Sequence, residues 1–207
     1  MRFAECVTST GVLRELIGEP IGRSIRKEIA HLDPHCRALI AASPFVLVAS
    51  SDAAGRLDAS PKGDSRGFAL VLDDETLAIP DRPGNRRADT FLNVIENPNV
   101  GLLFLVPGKL ETLRVNGRAS IVTTPWLRQR MAVAGRVPAL ALVVHVEQAF
   151  IHCGKCMLRS GLWNHSEWPD TNGLPSQAQC LVDHGKLEES VEQVQAAIDA
   201  SRKGALY

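Results

Sequence analysis

The sequence predicts a mainly β protein with flanking helices, organised round an antiparallel barrel that is closed or nearly closed. Three observations predict it. Short β-branched and apolar runs recur between residues 44 and 146, each bounded by tight-turn residues. Helical apolar spacing interrupts these runs twice and flanks them at both ends. A chain of 207 residues is long enough to bury a substantial core.

Residues 8–42 read as helical. Val12, Leu13, Leu16 and Ile17 form one short stripe, Ile25, Ile29 and Leu32 another, and Gly18 to Gly22 with Pro20 separates them. Asp33-Pro34 starts a further helix, with Asp33 as cap and Pro34 in the first turn. From Pro44 the period changes. Phe45–Ser50 and Leu57–Ser60 form a hairpin about the turn at Asp52–Gly55, and Phe68–Leu72 with Thr76–Ile79 a second. A helix follows, then strands over Val100–Val106 and Leu110–Val122, a short helix over Pro125–Val133 and a last long strand over Ala139–Val146. Residues 150–187 are expected as loops on the barrel, and Leu187–Ala200 as an amphipathic helix. The expected division is a helical flank over 1–43, the barrel over 44–150, and a C-terminal segment over 151–207 that packs on the barrel.

Composition narrows the function. Lys and Arg number 23, as do Asp and Glu, and aromatic residues make up 5% of the chain, so no global field attracts nucleic acid or an anionic membrane. No apolar run approaches the roughly 20 residues that span a bilayer. The N-terminal Met1-Arg2-Phe3-Ala4-Glu5-Cys6 has no apolar signal-peptide core. Five cysteines, an odd number, fit a reducing compartment. These features together read as a soluble cytoplasmic protein.

The stretch Ala78 to Thr90 carries the main chemical signal. It leaves a strand, turns through Pro80, Pro83 and Gly84, and opens a helix with Asn85 in the N-cap place, so that Ala88, Phe91, Leu92 and Ile95 share one apolar face. Arg86 and Arg87 then fall in the first turn, where the helix already carries partial positive charge. Either an anion such as phosphate meets the free N–H groups, the Asn85 side chain and the two guanidinium forks, or the arginines pair with Asp81 and Asp89 on a solvated helix start.

Two further constellations accompany it. Ser60-Pro61-Lys62-Gly63 ends a strand and offers a hydroxyl, backbone groups freed from the ladder and an ammonium, or else is an ordinary hairpin turn. In Glu111-Thr112-Leu113-Arg114-Val115-Asn116, alternation puts Glu111 on the otherwise apolar face of Leu113 and Val115, as an edge charge or as a group aimed at a ligand. Cys153-Gly154-Lys155-Cys156 has the spacing of a redox pair or of half a zinc site, and also suits small, partly buried thiols in a helix; no metal site is assigned. Trp126 and Trp168 are expected to pack.

Together the three segments resemble the pyridoxamine 5'-phosphate oxidase-like FMN-binding split-barrel superfamily, its bacterial oxidase-related branch above all, from about Pro44 to about Trp163. The resemblance implies a six-stranded split barrel, a homodimer and FMN at the subunit interface. The family's Gly-Ser-Arg-Lys phosphate element looks like Gly84-Asn85-Arg86-Arg87, its ring-flanking strand like Ser60–Gly63, and its Gln or Glu before Arg-Val-x-Gly-Arg like Glu111, next to Thr112. Asp81 falls with the phosphate element. A late tryptophan and arginine from the second subunit correspond to the stretch holding Lys155, Arg159 and Trp163, which at i, i+4 and i+8 would share a helix face. The family's C-terminal Arg-x-His substrate pattern is missing there, so the resemblance does not carry pyridoxamine phosphate as substrate.

The expected function is an FMN-dependent oxidoreductase acting on a small organic molecule, with no protein catalytic residue assigned because the cofactor carries the chemistry. A flavin carrier or sensor without turnover is the alternative, and a deazaflavin- or haem-binding split barrel another, the last with His145 or His152 as axial ligand.

Overall fold

The structure, a computed structural model, describes residues 5–204, so the reading of Met1 to Ala4 lies outside them. Three short helices open the chain: α1 (Thr10–Ile17), α2 (Gly22–Arg26) and α3 (Pro34–Ala42). Asp33 caps α3 as expected, its carboxylate accepting from the Cys36 N–H at 2.8 Å with Pro34 behind it. Neither α1 nor α2 buries a residue, and the Val12, Leu13, Leu16 and Ile17 stripe is exposed.

The sheet follows in the expected order: β1 (Phe45–Ser51), β2 (Leu57–Gly63), β3 (Leu70–Val71), β4 (Thr76–Pro80), β5 (Asn99–Leu105), β6 (Thr112–Val122) and β7 (Ala141–His152). All neighbours pair antiparallel, in the order β2-β1-β5-β6-β7-β4-β3. The strands are therefore seven, not six, in one open sheet with β2 and β3 at its edges, an arrangement consistent with a split barrel. The shortest strand, β3, is a two-residue remnant of the run expected over Phe68–Leu72.

Two boundaries differ from the sequence reading. The last strand runs on through Phe150, Ile151 and His152, expected as loop, because β6 offers it partners to the end, with Thr112 opposite His152. Beyond it lie α6 (Lys155–Ser160) and α7 (Gln177–Gly185) before α8 (Val191–Gly204), so the C-terminal segment is more helical than its glycines and prolines suggest. Serine at position 176 caps α7, accepting from the Gln179 N–H.

One core fills the inside of the sheet. Val46 and Val48 from β1, Leu102 and Phe104 from β5, Leu113 and Val115 from β6 and Val144 and Val146 from β7 meet Leu32 and Ile40 from the N-terminal flank and Val94 of helix α4 (Asp89–Glu96). A smaller cluster forms where α5 (Pro125–Arg130) lays Leu127 against Ala78 and Ala141. Trp126 and Trp168, expected to pack, are each 56% exposed.

The longest pairing, β6 with β7, carries a bulge between Asn116 and Gly117. A Cβ on Gly117 would sit 2.0 Å from the His145 carbonyl oxygen, so a glycine is required for the two backbones to close. Gly117→Ala is expected to cost more than about 3 kcal/mol, read as a fall in the urea midpoint; an unchanged midpoint would show that the bulge can open. At the α3 cap, the N–H of Cys36 holds the Asp33 carboxyl below its ordinary value. A depressed carboxylate stabilises the fold above its unfolded pKa and loses that contribution as pH falls through the lower folded value. Asp33→Ala should therefore cost about 1 kcal/mol near neutrality, a difference that shrinks in unfolding curves taken below pH 3.8.

Candidate functional site

The cleft is assembled from the edge strand outward. Pro61 is tolerated in β2 because an edge strand can spare an N–H. The strand's period of two turns Asp58, Ser60 and Lys62 to one face and leaves Pro61 and Gly63 on the exposed one. Helix α4 lies across that inward face. Its Thr90 hydroxyl donates to Asp58 at 3.1 Å, and Phe91 lies under the Lys62 ammonium, 6.0 Å from ring centre to nitrogen. Asn93 and Asn97 fasten the rest of α4 to β1 through Ser50 and Ser51.

The loop from Asp81 to Ala88 forms the next wall, and here the structure corrects the local reading. Asn85 is not the N-cap, and Arg86 and Arg87 are not in the first turn. Asn85 instead accepts from the Arg87 N–H at 3.0 Å, a local Asx turn that spends its side chain two residues on, and Arg86 and Ala88 take left-handed conformations with φ of 60° and 59°. The helix is deferred to Asp89, with Ala88 as cap. Its buried positions are Thr90 and Val94, while Leu92 and Ile95 of the expected apolar face are 56% and 73% exposed. The two arginines therefore sit on a loop over the cleft. Arg87 pairs with Asp89 at 2.8 Å, which holds its guanidinium pKa above the usual value.

An ion pair that the sequence reading missed holds this loop in place. Arg82 donates to Asp64 at 2.5 Å and to the Met131 carbonyl at 3.0 Å, and the two charged side chains are 16% and 1% exposed. The far wall is also new. Arg136, Val137, Pro138, Ala139 and Leu140 follow the turn at Ala134-Gly135, and the Leu140 carbonyl takes the Asp81 N–H.

The resulting cleft, about 940 Å³, gathers Ser60, Lys62, Asp81, Asn85, Arg86 and Arg87 from the sequence prediction. Lys62, Arg82, Arg86, Arg87 and Arg136 bring five cations to it, against Asp81 and Asp89, while Phe91, Val137 and Leu140 supply apolar surface. Burial pushes the Asp81 carboxyl up, opposed by Lys62 and Arg82. Such a site can hold a phosphorylated ligand with a flat apolar body, and its volume lies within the range of small-molecule sites.

A second, apolar groove of about 410 Å³ lies apart from the cleft, and of the remaining predicted residues only Thr112 lines it. Thr112 lines it with Leu47, Leu103, Arg114, His152 and Cys156. Glu111 precedes β6 and lines neither cavity. It pairs with Lys109 at 3.1 Å, which lowers its carboxyl pKa, and so behaves as the edge charge that the sequence allowed. Burial, then Arg114 and Lys27, lower the His152 pKa and favour the neutral imidazole.

Lys155, Arg159 and Trp163 do not share a helix face. Gly161 turns left-handed with φ 58° and ends α6 at Ser160, so Trp163 lies beyond the helix. Its indole N–H donates to the Lys109 carbonyl at 2.9 Å, tying it to the β5–β6 turn of its own chain. Lys155 and Arg159 remain exposed on α6.

Residues 32–153 match the family model described as pyridoxamine 5'-phosphate oxidase, more than half of the chain. The chain belongs to that family. The match spans the sheet and both sets of cavity-lining strands. No match was found among curated proteins. Solved structures similar to it include HupZ of Group A Streptococcus, at 23% identity over 57% of this chain and 92% of that one with a TM-score of 0.47. General stress protein 26 of Bacillus anthracis is 13% identical over 55% and 88%, with a TM-score of 0.44. An F420 reductase is 17% identical over 56% and 94%, with a TM-score of 0.41. Among the described residues no helix is long and apolar enough to cross a membrane.

The buried ion pair is open to a direct check. Asp64→Ala leaves the Arg82 guanidinium without its carboxylate and is expected to cost about 3–5 kcal/mol, measured by chemical unfolding. A change below about 1 kcal/mol would show that water replaces the carboxylate freely.

Proposed function

We propose that the protein is an FMN-binding oxidoreductase that works as a homodimer on a small organic substrate. The observation that carries the reading is the convergence of the Ser60–Lys62 strand and the Asn85–Arg87 loop on one cationic cleft. Family membership adds to it.

The donor set fits the cofactor. Arg86 and Arg87 would hold the phosphate by charge-assisted hydrogen bonds, Arg87 sharing its guanidinium with Asp89, and Lys62 would meet a polar ring edge. Phe91 and Leu140 would cover apolar parts of the ring. Bound FMN would supply hydride or electron transfer, which needs no nucleophile from the chain. The chain's own residues do the rest: the cations neutralise the phosphate, the Arg82–Asp64 pair holds the loop to the strand, and the apolar lining excludes water.

The dimer is proposed because one chain divides the predicted contacts. Thr112 lines the apolar groove, Lys155 and Arg159 stand exposed on α6, Trp163 is tied to the β5–β6 turn, and none of the four lines the cationic cleft. In a two-fold assembly, the groove side of one protomer can face the cleft of the other.

Arg86→Ala with Arg87→Ala should leave the fold intact and abolish FMN retention, each lost contact weakening binding by about 1.5–3 kcal/mol, read by flavin fluorescence titration. Stoichiometric flavin in the double variant would place the phosphate elsewhere. Light scattering of the flavin-loaded protein tests the assembly, and a monomer that keeps tight FMN would refute the dimer. Carrier and enzyme are then separated by anaerobic reduction with NAD(P)H followed by reoxidation with candidate acceptors.

A further inference from the structure

Two of the five cysteines stand at one end of the apolar groove: Cys153 in the turn that joins β7 to α6, and Cys156, which lines the groove, in the first turn of that helix. Cys153 and Cys156 are both exposed. Between them stand Gly154, the N-cap of α6 at φ −78° and ψ 5°, and Lys155, its first helical residue. Over a helical turn, Cα atoms three residues apart lie about 5 Å from each other, and a disulfide needs about 4.4–6.8 Å. The turn is also braced. Gly154 lies so close to Leu110 that a Cβ there would stand 2.5 Å from the Leu110 Cβ, and Met157, the next residue after the pair, is buried. The two exposed cysteines therefore stand three residues apart on a backbone that packing holds in place.

The remaining described cysteines differ. Cys36 is buried in the core, and burial pushes its thiol up to about 12, which leaves it inert. Cys6 is exposed near the N-terminus and Cys180 is half-buried on α7. Among the described residues no group of three or more His, Cys, Asp or Glu is placed to hold a metal ion, so no third ligand joins the pair.

We propose that Cys153 and Cys156 form a reversible dithiol–disulfide site that exchanges with low-molecular-weight disulfides. In the forward direction the thiolate of one cysteine attacks a sulfur of the external disulfide, forming a mixed disulfide and releasing one external thiolate. The thiolate of the second cysteine then attacks the protein sulfur of that mixed bond. The intrachain Cys153–Cys156 bond forms and the second external thiolate leaves. The protein loses two electrons and two protons, and the external disulfide becomes two thiols. An excess of external thiol reverses both steps. Within one chain neither cysteine lines the cationic cleft, while Cys156 lines the apolar groove that the proposed dimer turns toward the partner's cleft.

The test equilibrates the intact, natively folded protein with glutathione disulfide and glutathione at a series of ratios, blocks free thiols with an alkylating agent, and weighs the peptide holding residues 153–156. The expected result is the joint loss of both alkylation sites and a peptide lighter by two hydrogens, fully restored by excess glutathione. Cys153→Ser and Cys156→Ser should each trap glutathione as a stable adduct on the remaining cysteine, while Cys180→Ser should leave the transition unchanged. The proposal is overturned if both thiols stay alkylatable at every ratio, if they react only after denaturation, or if the disulfide formed joins either cysteine to Cys180 or to a second chain.

Discussion

The candidate site depends on one buried ion pair. Arg82 leaves the end of β4 and reaches back to Asp64, just past the end of β2, while its other nitrogen holds the Met131 carbonyl beyond α5. Three segments distant in sequence are thereby pinned at one point. A carboxylate that is 1% exposed would be costly alone, and a guanidinium at 16% nearly so, but each satisfies the other. The arrangement orients the loop that carries Arg86 and Arg87. Without it, a run containing Pro83, Gly84 and two left-handed residues would have little to hold it over the cleft.

The charge distribution follows from that anchoring. The chain has no net charge, yet five of its 23 basic residues line one cleft. Part of that charge is already compensated, Arg82 by Asp64 and Arg87 by Asp89, and those partners orient the guanidinium groups. An anion entering the cleft meets cations of which two are already held by neighbouring carboxylates, which lowers the cost of ordering them on binding.

The groove on the other strands has the opposite character. Its lining is mostly apolar, with Thr112, Arg114, Asn116 and His152 as its polar members. The Trp163 indole and Gly154 both rest on the β5–β6 turn, at the Lys109 carbonyl and at Leu110, so this end of the molecule is built by the chain after β7 folding back over β6. The two cavities thus draw on different segments, and each contains part of the residue set that the family resemblance gathers round one cofactor.

By itself the sequence determined the order and nature of the sheet elements, because alternation and turn residues are local signals: β1, β2, β4 and β5 lie within a few residues of the runs that predict them. Only the family resemblance grouped Ser60 and Lys62 with Asn85, Arg86 and Arg87, and all five line one cleft. The sequence did not determine the start of α4. Asn85 is a good N-cap by type, but its side chain is spent on the Arg87 N–H, and the buried face of the helix is set by what lies beneath Thr90 and Val94. Nor could periodicity end α6 at Ser160, since a glycine at the right spacing marks a stop only when the chain beyond it has somewhere else to go, here the Lys109 carbonyl for Trp163. The Asp64–Arg82 pair, the Arg136 wall and the shortening of β3 to two residues were decided by tertiary structure alone. Each depends on contacts between segments separated in sequence, and no local pattern records which distant partner a charge or a backbone edge will find.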